Sequence, residues 1–194
     1  MQHWDAERNR LTIDFVHHGD TGLAEPWAAS AGPGDGLQLM GPGGAYAPDP
    51  AADWHLMVGD ESVLPAISAS LARVRAGVPV HVLAEVGGPG DEVPLESPGE
   101  LHLTWLHRRE DPGDNDLLLR AVAALDFPPG SVHASVHGEA AAVRAIRRHL
   151  IVDRGIPREP LSVSGYWKRD RTEEGWREDN AEWNRLVEED AAAA

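Results

Sequence analysis

ADWHLMVGDESVLPAISASL, residues Ala52–Leu71, is the stretch whose reading decides the fold. Trp54, Leu56, Met57 and Val58 are four apolar residues in a window of five, broken only by His55, the pattern of a strand buried on both faces. A polar turn, Gly59-Asp60-Glu61-Ser62, follows. Gly59 permits a close backbone approach or an unusual φ, Asp60, Glu61 or Ser62 can cap a helix, and Pro65 suits a first helical turn. Val63, Leu64, Ile67 and Leu71 then recur at i, i+1, i+4 and i+8, an apolar stripe that lies back on the strand. A strand delivering a glycine turn into a helix N-terminus is how α/β sheets make a place for a nucleotide.

Downstream, the same alternation continues. Val78–Val86 (VPVHVLAEV) and Leu101–Leu106 (LHLTWL) read as strands, separated by a loop rich in Gly, Pro and Glu. A helix is expected over Asn115–Ala124, with Leu117, Leu118, Val122 and Leu125 on one side. Val132–Val136 is a strand, Gly138–His149 (GEAAAVRAIRRH) an Ala-rich helix, and Leu161–Val163 a final strand. Five strands separated mostly by helices imply an α/β unit, a parallel sheet with helices on both faces and right-handed crossovers. In the charged tail Trp167–Ala194, residues Trp176, Trp183, Leu186 and Val187 share one helical face, so the tail is expected to dock as a helix and fray only over Ala191–Ala194.

Upstream, the pattern is thinner. Arg10–Val16 sets Leu11, Ile13 and Phe15 against Thr12, Asp14 and Val16, a strand with one wet face. Leu23–Ala29 is a short helix with Pro26 in its first turn, Gly32–Gly36 a turn, Leu37–Met40 a short strand, and Gly41–Pro50 a Gly/Pro-rich linker. Residues 1–41 hold about two strands and one helix, too little for a core of their own. They read as the closing part of a β domain. The expected division is therefore 1–50 for this remnant and linker, 51–166 for the α/β unit and 167–194 for the helical tail.

The totals exclude several chemistries. With no cysteine among 194 residues, disulfides, thiolate zinc, iron–sulfur clusters and a Cys nucleophile are ruled out, so redox work must use a borrowed cofactor. A formal charge of −15 argues against nucleic acid as a partner and repels anionic ligands unless basic residues are locally concentrated. No apolar run reaches the roughly 20 residues of a membrane span. MQHWDAERNR lacks a basic start followed by an apolar segment, which makes the cytoplasm the expected compartment.

Four places carry candidate binding residues. The acids of Gly59-Asp60-Glu61-Ser62 would repel a pyrophosphate but suit ribose hydroxyls or a nicotinamide amide; a capped helix start with no ligand is the bland alternative. Gly138-Glu139-Ala140 repeats the strand, glycine, helix pattern, and the two glycines would flank a common crevice. Glu139 suits either a ligand or the helix dipole. Arg108 and Arg109 could grip a ribose 2′-phosphate and favour NADPH over NADH, or pair with Glu110 and Asp111. The ten histidines lack metal-ligand spacing, and no metal is expected. Lys168, Arg169 and Arg171 form a basic patch suited to an anionic substrate or to the acidic tail. P-loop, nucleophile elbow and full GxGxxG patterns are absent.

The stretches DFVHHGD (14–20), GLAEPWA (22–28), PGDGLQLMGPGG (33–44), DWHLMVGDESVLPAI (53–67), TWLHR (104–108), VHGEAAAVRAIRRHL (136–150) and SGYWKR (164–169) together resemble the siderophore-interacting protein family. These are flavin-dependent ferric-siderophore reductases of the ferredoxin-reductase-like superfamily. The resemblance implies an antiparallel FAD-binding β-barrel followed by an NAD(P)H-binding α/β domain. It further implies reduction of chelated Fe(III) to Fe(II), with NADPH or NADH as donor and FAD as relay. Asp14, Phe15, Val16 and His18 match the strand that lies along the flavin nucleotide. Gly22, Leu23, Ala24 and Trp27 match the short helix whose N-terminus faces the FAD pyrophosphate. Gly59, Asp60, Glu61, Ser62, Gly138, Glu139 and Ala140 match the nicotinamide-facing turns, Arg108 a nucleotide-phosphate position, and Lys168 and Arg169 a siderophore-facing segment. The family's Arg-x-Tyr-Thr segment would lie just before residue 1, so only a fragment of the barrel is expected.

Because the flavin carries the chemistry, no side chain is singled out as catalytic acid or nucleophile. Two other readings stand beside the reductase: a catalytically silent NAD(P)H-binding module, and an interaction protein whose exposed half-barrel edge pairs with another chain.

Overall fold

The computed structural model describes residues 3–13, 15, 24–39, 46–108 and 116–192. The chain divides between Ala45 and Tyr46 into two units.

In the first unit, strands β1 (His3–Asp5) and β2 (Arg10–Thr12) pair antiparallel with Trp4 opposite Leu11. The Asp5 carboxylate closes the turn by accepting from the Arg8 amide at 3.0 Å and Arg8 Nη1 at 2.9 Å, and Asn9 takes the left-handed conformation that Asn tolerates. Of the strand read over Arg10–Val16, pairing among the described residues runs as far as Thr12, and Leu11 and Phe15 are exposed; Asp14 and Val16 lie outside the described residues. Helix α1 (Ala24–Ser30) holds Pro26 in its first turn. No strand forms over Leu37–Leu39. Both leucines are exposed and no neighbouring strand among the described residues offers a ladder, so local alternation alone does not make an extended element. Met40 lies outside the described residues.

The second unit is built on a parallel sheet. Strands β3 (Trp54–Asp60), β4 (Pro79–Val86), β5 (Glu100–His107), β6 (Val132–Glu139) and β7 (Leu161–Trp167) lie in the order β5-β4-β3-β6-β7. The chain lays β3, steps outward through β4 to β5, and returns to place β6 on the other flank of β3. Strand order therefore reverses between β3 and β6. Helix α2 (Leu64–Leu71) links β3 to β4, α3 (Leu117–Ala124) precedes β6, and α4 (Ala140–Arg148) links β6 to β7. Right-handed crossovers running in opposite directions put α2 on one face and α3 and α4 on the other.

Packing follows that division. Every residue of β3 is buried. Met57 faces Leu64, Ile67 and Leu71 of α2 together with Val80, Val82, Ala84 and Val86. Trp54, Leu56 and Val58 face Leu118 and Val122 of α3, Val143 and Ile146 of α4, and the tail helix α5 (Glu173–Ala192). Each aliphatic side chain fully buried here contributes about 1.5–3 kcal/mol. The tail docks as its spacing predicts: Trp176, Trp183 and Val187 are buried, Trp183 Nε1 donates to Ala140 O at 2.9 Å, and Arg147 Nη1 donates to Val187 O at 2.5 Å. Gly165 makes room for this, since a Cβ there would lie 2.9 Å from the Trp176 ring and 3.2 Å from Ala140 Cβ. Residues 46–50 also belong to this unit, with Tyr46 stacked on His133 at 4.9 Å and the Asp49 amide donating to His133 Nδ1 at 3.0 Å.

Candidate functional site

In open α/β sheets ligands bind outside the carboxyl ends of the strands where their order reverses. Gly59 and Gly138 stand at that place, on the neighbouring strands β3 and β6. The polar turn begins later than its sequence suggests. Gly59 and Asp60 remain in the ladder opposite Ala84 and Glu85, and the 3₁₀ turn Glu61–Val63 starts only after Asp60 caps it. Gly59 serves close approach, since a Cβ there would lie 2.8 Å from His137 O and 2.9 Å from Val63 Cβ. Gly138 is needed twice over: its φ is +127° and a Cβ would lie 2.5 Å from Asp60 Oδ2.

The space between the two glycine corners is taken by the Asp60 side chain. Its Oδ1 accepts from the Ser62 amide at 2.9 Å and Ser62 Oγ at 2.5 Å; its Oδ2 accepts from the Glu139 amide at 2.8 Å and Trp167 Nε1 at 2.9 Å. Burial pushes this carboxyl above its ordinary range against the pull of those four donors. Trp167 reaches Asp60 because β7 bulges: Gly138 pairs with Gly165 but Glu139 pairs with Trp167, so Tyr166 is the extra residue. Bulges next to sites re-aim a side chain in this way.

Beside Asp60 lies a narrow cleft of about 20 Å³, walled by Asp60, Glu85, Arg108, Glu139, Trp167 and Arg169 over Leu118 and Ala142. Arg108 lies one residue beyond β5; its Nε donates to Glu85 Oε1 at 2.7 Å and its Nη2 to Glu61 Oε2 at 2.6 Å. Desolvation opposes its charge, but the hydrogen bonds and charges of both acids outweigh it and raise the guanidinium pKa. Burial pushes Glu85 upward, and Arg108 counters it. Glu139 caps α4, its Oε2 accepting from the Ala141 and Ala142 amides at 2.7 and 3.0 Å and its Oε1 from the Arg169 amide at 3.3 Å. The helix expected from Gly138 accordingly begins at Ala140. The Nε of Arg169 is buried without a hydrogen-bond partner among the described residues.

Of the residues singled out from sequence, Asp60, Arg108, Glu139 and Arg169 thus meet in one cleft. Glu61 joins them through Arg108, and Ser62 through Asp60. Lys168 turns instead to the tail, donating to Asp179 Oδ2 at 2.8 Å beside Arg171 at 2.9 Å. Arg108 pairs with Glu61 and Glu85; Arg109, Glu110 and Asp111 lie outside the described residues. Glu85 and Trp167 were missed. A lone acid closing the apolar run VPVHVLAEV was a signal for Glu85; nothing local foretold the bulge that aims Trp167.

In the first unit, Phe15, Ala24, Trp27, Gly36 and Leu37 line an open groove of about 380 Å³, with the Phe15 and Trp27 rings 6.0 Å apart and tilted. The groove is bordered by two aromatic rings, a lining that suits flat, apolar groups. Asp14, Val16, His18, Gly22 and Leu23 lie outside the described residues.

Residues 52–170 match the family model described as Siderophore-interacting protein, and residues 1–46 that of the Siderophore-interacting FAD-binding domain. The chain belongs to the siderophore-interacting protein family. Among its relatives, an uncharacterised protein of Mycobacterium tuberculosis is 43% identical over 187 residues, 91% of this chain and 66% of that protein. Ferric vibriobactin reductase ViuB of Vibrio cholerae is 37% identical, over 92% of this chain and 66% of its own. The chain therefore spans about two thirds of the length of these curated relatives. A siderophore utilization protein from T. fusca superposes with a TM-score of 0.78 at 40% identity, covering 88% of this chain and 65% of that one. The siderophore-interacting protein SipS from Aeromonas hydrophila gives 0.80 at 28% identity, covering 95% and 72%. The family assignment, the parallel sheet and the small antiparallel sheet before it agree with the resemblance read from the sequence. Among the described residues no helix is long and apolar enough to cross a membrane.

Proposed function

We propose that this chain takes part in reducing siderophore-bound Fe(III) to Fe(II) in the cytoplasm, with NAD(P)H as hydride donor and FAD as relay. The observation that carries the reading is the cleft at the strand-order reversal, where the buried Nε of Arg169, unpartnered among the described residues, stands beside Trp167, Glu85 and Arg108. In this reading Arg169 receives the diphosphate of the pyridine nucleotide, Trp167 offers it an aromatic face, and the acids at the strand ends accept from its hydroxyl groups. The Phe15–Trp27 groove holds an apolar portion of the flavin nucleotide. When bound, FAD would supply the link between a two-electron hydride donor and the one-electron reduction of two equivalents of iron. The protein's part is to hold donor and acceptor in place; no side-chain proton transfer is required.

The test is reconstitution with FAD, NADH or NADPH and a ferric siderophore, with released Fe(II) trapped by a colour-forming chelator. Iron release above a protein-free control is expected, and none overturns the reading. A second reading is favoured by residues 46–194 having a core of their own: an NAD(P)H-binding module without turnover. Nucleotide binding by calorimetry with no yellow chromophore retained would select it.

A further inference from the structure

Glu85 is the penultimate residue of β4, in register with Asp60 at the end of β3. The end of the second strand is where dinucleotide-binding sheets place the acid that hydrogen-bonds the ribose 2′-hydroxyl, while an Arg nearby serves a 2′-phosphate. Here both are present, and they are locked together. Arg108 spends its Nε on Glu85 at 2.7 Å and its Nη2 on Glu61 at 2.6 Å, within an edge that sets the carboxylates of Asp60, Glu61, Glu85 and Glu139 against the guanidiniums of Arg108 and Arg169.

A phosphate arriving at Arg108 must either displace two carboxylates already at hydrogen-bond distance or sit beside them as a like charge. Both alternatives disfavour it strongly in a half-buried setting. A ribose diol meets no such conflict. Glu85 Oε2 and Glu61 Oε1 take no hydrogen bond from the described residues, and hydroxyl groups can donate to them. We infer that Glu61 and Glu85 select a pyridine nucleotide with a free 2′-hydroxyl, NADH over NADPH, by holding Arg108 as their counter-ion and away from phosphate. This is the reverse of the preference that the Arg108-Arg109 pair suggests in the sequence. The inference rests on the nucleotide reading of the cleft proposed above.

The experiment uses the full chain and two redox-inert probes, ADP-ribose and 2′-phospho-ADP-ribose, titrated by calorimetry. The wild type is expected to bind ADP-ribose about tenfold or more tightly than its 2′-phosphate. The Glu61→Gln/Glu85→Gln variant frees Arg108 and is expected to shift the ratio about tenfold or more toward the phosphate, and adding Arg108→Leu to cancel that gain. Should the double variant fail to fold by circular dichroism, Glu61→Gln alone, at the more exposed acid, is expected to move the ratio about threefold in the same direction. Equal or reversed affinities in the wild type, or an unmoved ratio in a folded variant, overturn the inference while leaving the nucleotide reading intact. Binding of neither probe overturns both.

Discussion

Trp167 Nε1 donates to Asp60 Oδ2 at 2.9 Å across 107 residues of chain, tying the end of β7 to the end of β3. The same carboxylate holds the Ser62 amide and hydroxyl and the Glu139 amide, so one buried group joins the 3₁₀ turn, β6 and β7 at the rim of the sheet.

Removing members of this junction should therefore cost unequal amounts. Trp167→Phe keeps an aromatic ring but drops one donor, and a loss of about 1 kcal/mol is expected. Asp60→Asn turns an acceptor of four hydrogen bonds into a group with one acceptor oxygen and a donor facing donors, and about 2–3 kcal/mol is expected. Urea unfolding monitored by circular dichroism measures both; equal costs would show that the bonds do not converge as described.

Gly138→Ala places a Cβ 2.5 Å from Asp60 Oδ2 at a φ of +127°, which combines a clash with a strained backbone. A loss of about 2–4 kcal/mol is expected, readable as a fall in the urea midpoint at unchanged slope. Gly34→Ala, also at positive φ but with open space around it, should cost less.

The tail helix is held by packing. Trp176→Ala empties a site that Gly165 and Ala140 line, and about 3–5 kcal/mol is expected. Hydrogen exchange should show α5 losing protection before the sheet does. Unchanged exchange in α5 would mean that Trp176 is not its anchor.

His137 supplies a pH dependence with a definite sign. Burial lowers its pKa from 6.5 to about 4, in a stack with Tyr166 at 5.2 Å and with Ser162 Oγ 3.2 Å from its Nε2. A depressed folded-state value means that the stability it contributes is present above pH 6.5 and lost as pH falls through 4. The full effect is on the order of 3 kcal/mol. Asp60, pushed upward by burial, contributes the opposite slope, lost as pH rises through its folded value, but it does so in wild type and variant alike. The difference between wild type and His137→Phe isolates the histidine, and the variant should lose stability less steeply between pH 6.5 and 4.

The sheet was legible in the sequence because its signals are local. Met57, Val58 and the Val78–Val86 run are nearly continuous apolar segments, and a segment buried on both faces cannot read otherwise. The stripe on α2 and the tryptophan spacing on α5 follow from the helical repeat in the same way. Leu37–Leu39 failed by the same logic, since a strand needs a neighbour and the residues alone do not supply one. At the rim, sequence singled out Asp60, Arg108, Glu139 and Arg169 but not what they do to one another.

By itself, then, the sequence determined the order of elements in the α/β unit, its two buried faces and the family, because hydrophobic period and turn chemistry are written residue by residue. Only the tertiary structure decided that Asp60 fills the gap between the glycines, that a bulge at Tyr166 aims Trp167 onto it, and that Arg108 is clamped by Glu61 and Glu85. Those outcomes depend on register and on distances between groups 23 to 107 residues apart, and charge pairing over such separations has no local signature.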